Sequence, residues 1–165
     1  MAPALSCFLE PHAKEFALAA SKSKTLHRGW AHPPTTASDA AELAKRRQGP
    51  NDFGYVIRDY ETGKAAGYIE ITHIVRGPLQ SGYLGYYMFK GYERRGYMRW
   101  ALGFIIQRAW KELKLHRLEA NIQPGNAASI ALVKSLGFEQ EGYSPRYLKL
   151  GGRWRDHERW AILST

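Results

Sequence analysis

Hydrophobic residues change period several times along this chain, and each change marks an element. Tyr83 to Phe89 is dense in aromatics, ends at Lys90-Gly91 and predicts a buried strand. After Glu93 to Met98, residues Ala101, Leu102, Ile105, Ala109 and Leu113 recur at helical spacing. His116 to Ile122 alternates, with Leu118, Ala120 and Ile122 on one face and Glu119 and Asn121 on the other. Pro124-Gly125 breaks that strand. Asn126 is a good N-cap for a short helix carrying Ile130, Val133 and Leu136. Gly137 is expected as the left-handed residue past the helix end, with Phe138 closing over it.

The flanking segments read the same way. Pro11 to Thr25 predicts a helix, followed by turns at His27-Arg28-Gly29-Trp30 and Pro33-Pro34. Ser38 to Gln48 predicts a second helix capped by Ser38 and ended by Gly49-Pro50-Asn51-Asp52. Phe53 to Tyr60 and Gly67 to Arg76 read as strands joined at Glu61-Thr62-Gly63-Lys64, with Gly77 to Gly82 a turn before the aromatic strand. Phe138 to Leu150 and Arg153 to Ile162 form an expected hairpin about Gly151-Gly152.

Arg94, Arg95 and Arg99 crowd Gly96 just where the central helix begins. A glycine there lets backbone donors approach an anion closely, and planar bidentate arginines suit phosphate. The same residues also describe an ordinary loop with a solvated basic helix start, because an anion-binding turn is a weak motif alone. The alternating strand, the Asn-capped helix and Leu136-Gly137-Phe138 that follow make the combination much more specific.

Composition narrows the picture less. The 165 residues fit one domain, residues 1–165, with a sizeable core. Lys and Arg total 24 against 15 Asp and Glu, a formal charge of +9. Such a surface suits a phosphorylated ligand, nucleic acid, a ribonucleoprotein or an acidic membrane, and disfavours highly cationic partners such as polyamines. Cys7 is the one cysteine, so no intrachain disulfide or thiolate cluster can form, and no metal site is expected. Cys7 itself reads as a small hydrophobe or surface thiol. The N-terminus lacks the pattern of a secretory signal, and no run reaches membrane-spanning length, so a cytoplasmic location without membrane association is the expectation.

The chain resembles the GNAT-family N-acetyltransferases, in particular the RimJ type that acetylates the N-terminal alanine of a ribosomal protein. The matches are Ile74-Val75-Arg76-Gly77, Tyr83-Leu84-Gly85-Tyr86, Glu93 to Met98, Asn126-Ala127-Ala128-Ser129, Leu136-Gly137-Phe138 and Trp154-Arg155-Asp156-His157, and they run through nearly the whole chain. The resemblance implies an α/β (α+β) fold: a strongly twisted, mostly antiparallel sheet of about six or seven strands, splayed at its centre, with about four helices. It implies acetyl-CoA as donor and an amine as acceptor, joined in a ternary complex. Met88 and Phe89 would lie beside the pantetheine arm, in a gap opened by a bulge, with a backbone N–H there polarising the thioester carbonyl. Arg94, Arg95, Gly96, Tyr97, Met98 and Arg99 would hold the pyrophosphate, and Asn126 would open the last helix beside the cofactor.

The catalytic side chains follow from the resemblance and its departures. Many relatives place a tyrosine where this chain has Val133, which has no proton to give. Ser129, one turn earlier, could protonate the departing thiolate, or it could serve the helix end together with Asn126. Glu119 resembles the strand glutamate used as base in RimI-type relatives, and it also reads as a sheet-edge charge. Glu70 and His73 are further candidates. Arg146 before Tyr147 replaces an acid found in RimL-type enzymes. Asp156 and His157 are read as orienting the last strands, since nothing resembling a nucleophile elbow supports a triad with Ser129. Glu93 and Met98 depart from the usual turn pattern. Trp100 stands where close relatives have an acid, and Trp30 resembles a tryptophan bordering the acceptor groove, with simple packing as its plainer explanation.

The resemblance implies an N-acetyltransferase acting on a protein N-terminus that begins with alanine or serine. Small-amine or antibiotic acetylation is the nearest rival. A basic RNA- or ribosome-binding module is the reading of another class, and it predicts arginines interleaved with exposed aromatics on one platform. Ribosome association and a monomeric or dimeric state are both compatible with the sequence.

Overall fold

The computed structural model describes residues 2–164. Seven strands make one sheet: β1 (Ala4–Cys7), β2 (Phe53–Arg58), β3 (Ala65–Val75), β4 (Ser81–Met88), β5 (Arg117–Ile122), β6 (Glu139–Leu150) and β7 (Arg153–Leu163), in the order β1-β2-β3-β4-β5-β7-β6. Only β4 and β5 run parallel. The helices are α1 (Ala13–Lys22), α2 (Lys24–His27), α3 (Ala37–Arg46), α4 (Tyr97–Lys111) and α5 (Ala127–Lys134), with a 3₁₀ turn at Glu10–His12. The sheet and its splayed centre are those expected, with five helices in place of about four.

The extra helix comes from Ser23. Its hydroxyl donates to Ala19 O at 2.7 Å and accepts the Lys90 N–H at 2.9 Å, so it divides the expected Pro11–Thr25 helix and ties the break to the end of β4. Helix α3 starts one residue early because Thr36, not Ser38, is the cap: its side chain accepts the Asp39 N–H at 3.1 Å. β1 has no alternating pattern and is held by main-chain pairing with β2.

Both faces of β2 and β3 are covered, which explains their nearly continuous apolar sequence. Tyr55, Ile57, Ile69 and Ile71 pack towards Ala101, Leu102 and Ile105 of α4. Val56 and Tyr68 face the other way, into a core with Phe8, Phe16, Ala40 and Phe89 beneath α1 and α3.

Two complete half-sheets meet at β4 and β5. β4 is in register with β3 from Thr72↔Tyr83 to Gly67↔Met88, and β5 is paired with β7 from Arg117↔Leu163 to Ile122↔Glu158. Between themselves β4 and β5 pair only at Ser81↔Arg117, Gly82↔Leu118 and Tyr83↔Glu119. Beyond Tyr83 the strands part, and the gap positions the site.

Candidate active site

The gap exposes main-chain groups of β4. Phe89 N–H donates to Ala66 O at 2.8 Å, so its donor is spent on β3. Alternation along an antiparallel pair then turns the N–H and C=O of Met88 away from β3, towards the gap. The Met88 carbonyl accepts from His27 Nε2 at 2.7 Å. His27 is buried, and burial pushes its imidazole below the ordinary value, so it stays neutral at pH 7. The expected bulge at Met88–Phe89 is a correction: the β3–β4 irregularity lies between Thr72 and Val75, at the far end, and divergence from β5 opens the gap. Of the Met88–Phe89 segment, only the Met88 amide is aimed at it.

A cavity of about 540 Å³ occupies the splay, with Trp30, Glu70, Tyr86, Asn121, Ser129 and His157 in its wall. Ser129 projects from α5, which Asn126 starts by accepting the Ser129 backbone N–H at 3.2 Å. The cap therefore uses the main chain of Ser129 and leaves its side chain for other work. That Oγ lies 2.6 Å from the Tyr86 hydroxyl. Burial pushes the Tyr86 phenol up to about 12, so the pair enters any reaction carrying its protons. Val133 is fully buried in the core. The cavity wall also holds Asn121, whose buried Oδ1 has no partner, an acceptor waiting for a donor.

A second cavity, about 480 Å³, adjoins the first and shares Glu70 and Tyr87 with it. Glu70 Oε2 accepts from Arg47 Nε at 2.6 Å and from the Tyr68 hydroxyl at 2.8 Å. Gly85 makes room for this carboxylate: a Cβ there would stand 2.9 Å from Glu70 Oε1. His73 lies exposed at the wall of the first cavity, while Trp30 both lines it and packs on Gly125. Gln123 Nε2 donates to Gly29 O at 2.7 Å, fastening the arm that carries Trp30 to the end of β5.

Glu119 is placed differently. It stands level with Tyr83, the last β4 residue paired to β5, outside the cavity wall. Its carboxylate accepts from Arg117 Nε at 2.7 Å, and Arg117 also grips Glu141. Asp156 accepts the Tyr143 hydroxyl at 2.6 Å and the Arg146 N–H at 2.7 Å and makes no bond to His157. Trp100 stacks on Phe104 and lines neither cavity.

At the start of α4, Gly96 has φ 77° and supplies no side-chain cap. The first bonded amide is that of Trp100, to Gly96 O at 3.0 Å, so the Tyr97, Met98 and Arg99 N–H groups remain open donors. Arg94, Arg95 and Arg99 are exposed around them. The Tyr97 side chain is buried and donates to Asp59 at 2.6 Å, holding that carboxyl below the usual range. Met98 is buried as well, so both residues offer an anion only their main chain. Glu93 turns inward to accept the Gly91 N–H at 2.6 Å. This donor set fits a pyrophosphate, and the orphan acceptor of Asn121 fits a ligand bearing N–H groups.

Three residues of this arrangement escaped the sequence. Tyr86 reads as one more core aromatic of β4, and nothing local distinguishes it. His27 reads as turn, and its bond to Met88 O spans 61 positions. Asn121 was on the correct alternating face, but alternation does not reveal a missing partner.

A sheet parted at its centre, an uncapped basic helix start beside it and a hydroxyl pair in the gap define an acyl-transfer site for a phosphorylated carrier. Residues 7–139 match the acetyltransferase (GNAT) domain, and the chain belongs to this family, with acetyl-CoA as the donor. It is 32% identical over 123 residues to the Bacillus subtilis protein named "Probable N-acetyltransferase YjcK", covering 74% of this chain and 68% of that one. It is 35% identical over 112 residues to the ribosomal protein uS5-alanine N-acetyltransferase of Escherichia coli, covering 68% of this chain and 58% of that enzyme's length. In fold it superposes on Mycobacterium smegmatis RimJ in complex with CoA-disulfide at a TM-score of 0.87, with 23% identity, over 97% of this chain and 81% of that one. It also superposes on the Vibrio cholerae spermidine N-acetyltransferase in complex with CoA and spermine, at 0.82 and 17% identity, over 98% and 95% of the two chains.

Proposed function

We propose that this protein acetylates the N-terminal α-amine of a protein beginning with alanine or serine, a ribosomal protein among the candidates, by direct transfer from acetyl-CoA in a ternary complex. The observation that carries the reading is the pair of adjoining cavities sharing Glu70 and Tyr87, about 540 and 480 Å³. A chain end can place its amine in the first and its following residues along the second. A compact amine needs only one of them. The formal charge of +9 also disfavours a polycation. The 35% identity to the alanine acetyltransferase supports the same choice. The reading treats residues 1–165 as one catalytic unit acting in the cytoplasm.

Each group then has a task. The open amides of Tyr97, Met98 and Arg99 at the Gly96 turn, with Arg94, Arg95 and Arg99, hold the pyrophosphate. The Met88 N–H stabilises the oxyanion that develops on the acetyl carbonyl, a role in which one donor contributes about a hundredfold or more in rate. Asn126 fixes the first turn of α5. Ser129, bonded to Tyr86, gives the departing thiolate its proton.

The test is a peptide-library acetylation assay read by mass spectrometry, with aminoglycosides and polyamines run alongside. Peptides with N-terminal Ala or Ser should be acetylated in preference to the others. Efficient turnover of an aminoglycoside or polyamine with inert peptides would replace this acceptor by a small amine.

A further inference from the structure

We propose that His157 is the general base of the transfer, receiving the acceptor's ammonium proton on Nε2. The inference rests on the reading of the site as an amine acetyltransferase and adds the residue that makes the amine nucleophilic.

The geometry fixes the tautomer. His157 Nδ1 lies 3.0 Å from Arg155 O. A carbonyl only accepts, so Nδ1 carries the hydrogen and Nε2 is left with its lone pair. The residue is 2% exposed, yet it forms part of the cavity wall with Ser129 and Asn126. Among the described residues none is bonded to Nε2. The pair of features is what a base needs: a bare acceptor facing the reaction space and a second nitrogen pinned to hold the ring still.

The rival groups are committed elsewhere. Glu119 is bound to Arg117 outside the wall. Glu70 holds two donors on Oε2, the Arg47 guanidinium and the Tyr68 hydroxyl. The titratable and charged groups around the imidazole are Arg155 and Asp156 on β7, Tyr147 on β6 at 6.0 Å between rings, and Glu70, His73 and Tyr83 across the cavity. Burial lowers the affinity of His157 for a proton below the ordinary 6.5, against the weaker opposing effects of the Arg155 carbonyl and Asp156. The imidazole is therefore neutral at pH 7 and ready to accept.

The step balances. His157 Nε2 takes one proton from the ammonium. The amine nitrogen bonds to the acetyl carbon and the carbon–sulfur bond breaks. The thiolate gains a proton from the Ser129–Tyr86 pair, and that pair is refilled by the second proton lost from nitrogen. The proton on His157 leaves to water, so the sum is ammonium plus thioester giving amide, thiol and one released proton.

Two measurements test the proposal. With acetyl-CoA and a peptide bearing N-terminal alanine, His157→Asn should lower kcat/KM at pH 7 by ~100-fold or more and abolish the acid limb of the profile. The KM for acetyl-CoA should move little. A variant within threefold of wild type that keeps the acid limb would overturn the assignment and leave a carboxylate, with Glu70 first. The second measurement needs neither turnover nor a variant that folds. Nitrogen NMR of the wild-type imidazole with CoA bound should show the neutral Nδ1–H form at pH 7. An Nε2–H form or an imidazolium there also overturns the base, while leaving the acceptor reading intact. A correct tautomer in a protein that acetylates small amines and no peptide would instead sink the acceptor reading and preserve the base.

Discussion

At the scale of single residues, the Ser129 hydroxyl and the Tyr86 phenol form one unit, 2.6 Å apart. The helix cap belongs to Asn126 and the main chain, so Ser129→Ala keeps it. That variant should lower kcat by ~10- to 100-fold with little change in acetyl-CoA KM. It also leaves a buried phenol without its partner, which costs ~1–3 kcal/mol. Adding Tyr86→Phe should recover most of that stability and change kcat no further, because the two side chains act together. Thermal melts and steady-state kinetics on one set of preparations measure both; equal melting points for the single and double variants would break the pairing. Glu119→Gln carries the opposite expectation. Its carboxylate holds Arg117 in a partly exposed network, so the change should cost ~0–1 kcal/mol and leave the pH–rate profile in place. A shifted acid limb in that variant would return Glu119 to the chemistry.

At the scale of elements, the start of α4 is the phosphate-facing unit. Arg94→Ala with Arg95→Ala should weaken CoA binding at least tenfold by calorimetry at low salt and lessen its salt dependence, while the helix itself stays formed. Undiminished affinity would move the pyrophosphate elsewhere. This unit was legible because helical periodicity, Gly96 and the arginines are all local. The same holds for α5, where Asn126 and Gly137 mark both ends, and for β5, whose burial alternates as its sequence does. What was not legible depends on partners far along the chain. Ser23 breaks a good helical pattern because Lys90 needs its hydroxyl. β1 is a strand because β2 accepts it, with no hydrophobic rhythm of its own. Glu119 and Asn121 share a face of β5, and only the place where β4 leaves decides that Asn121 meets the cavity and Glu119 does not. His157 reads with Asp156 as a residue orienting the last strands, since no nucleophile elbow accompanies the pair; the Asp156 carboxylate does bind Tyr143 and Arg146, while the place of the His157 ring in the cavity wall is set by the fold.

At the scale of the whole molecule, two buried imidazoles set the response to acid. Burial depresses both His27 and His157 in the folded state. Between the folded values and ~6.5 the unfolded chain binds protons that the folded chain refuses. The stability these residues contribute is therefore full above ~6.5 and is lost as pH falls through their folded values. Urea midpoints should be lower at pH 5 than at pH 7.5, and a flat profile across that interval would show that neither ring is held neutral. The parted sheet has a consequence in time as well as in space. Along β4 the amides alternate between β3 and the gap: Tyr87 and Phe89 are tied down, whereas Tyr86 and Met88 have no strand opposite. Hydrogen–deuterium exchange on the unliganded protein should read this as a fast-slow-fast-slow sequence from Tyr86 to Phe89, in a strand that is central in the sheet order. Acetyl-CoA should slow Met88 and leave Phe89 unchanged, so that the substrate is detected as the missing rung.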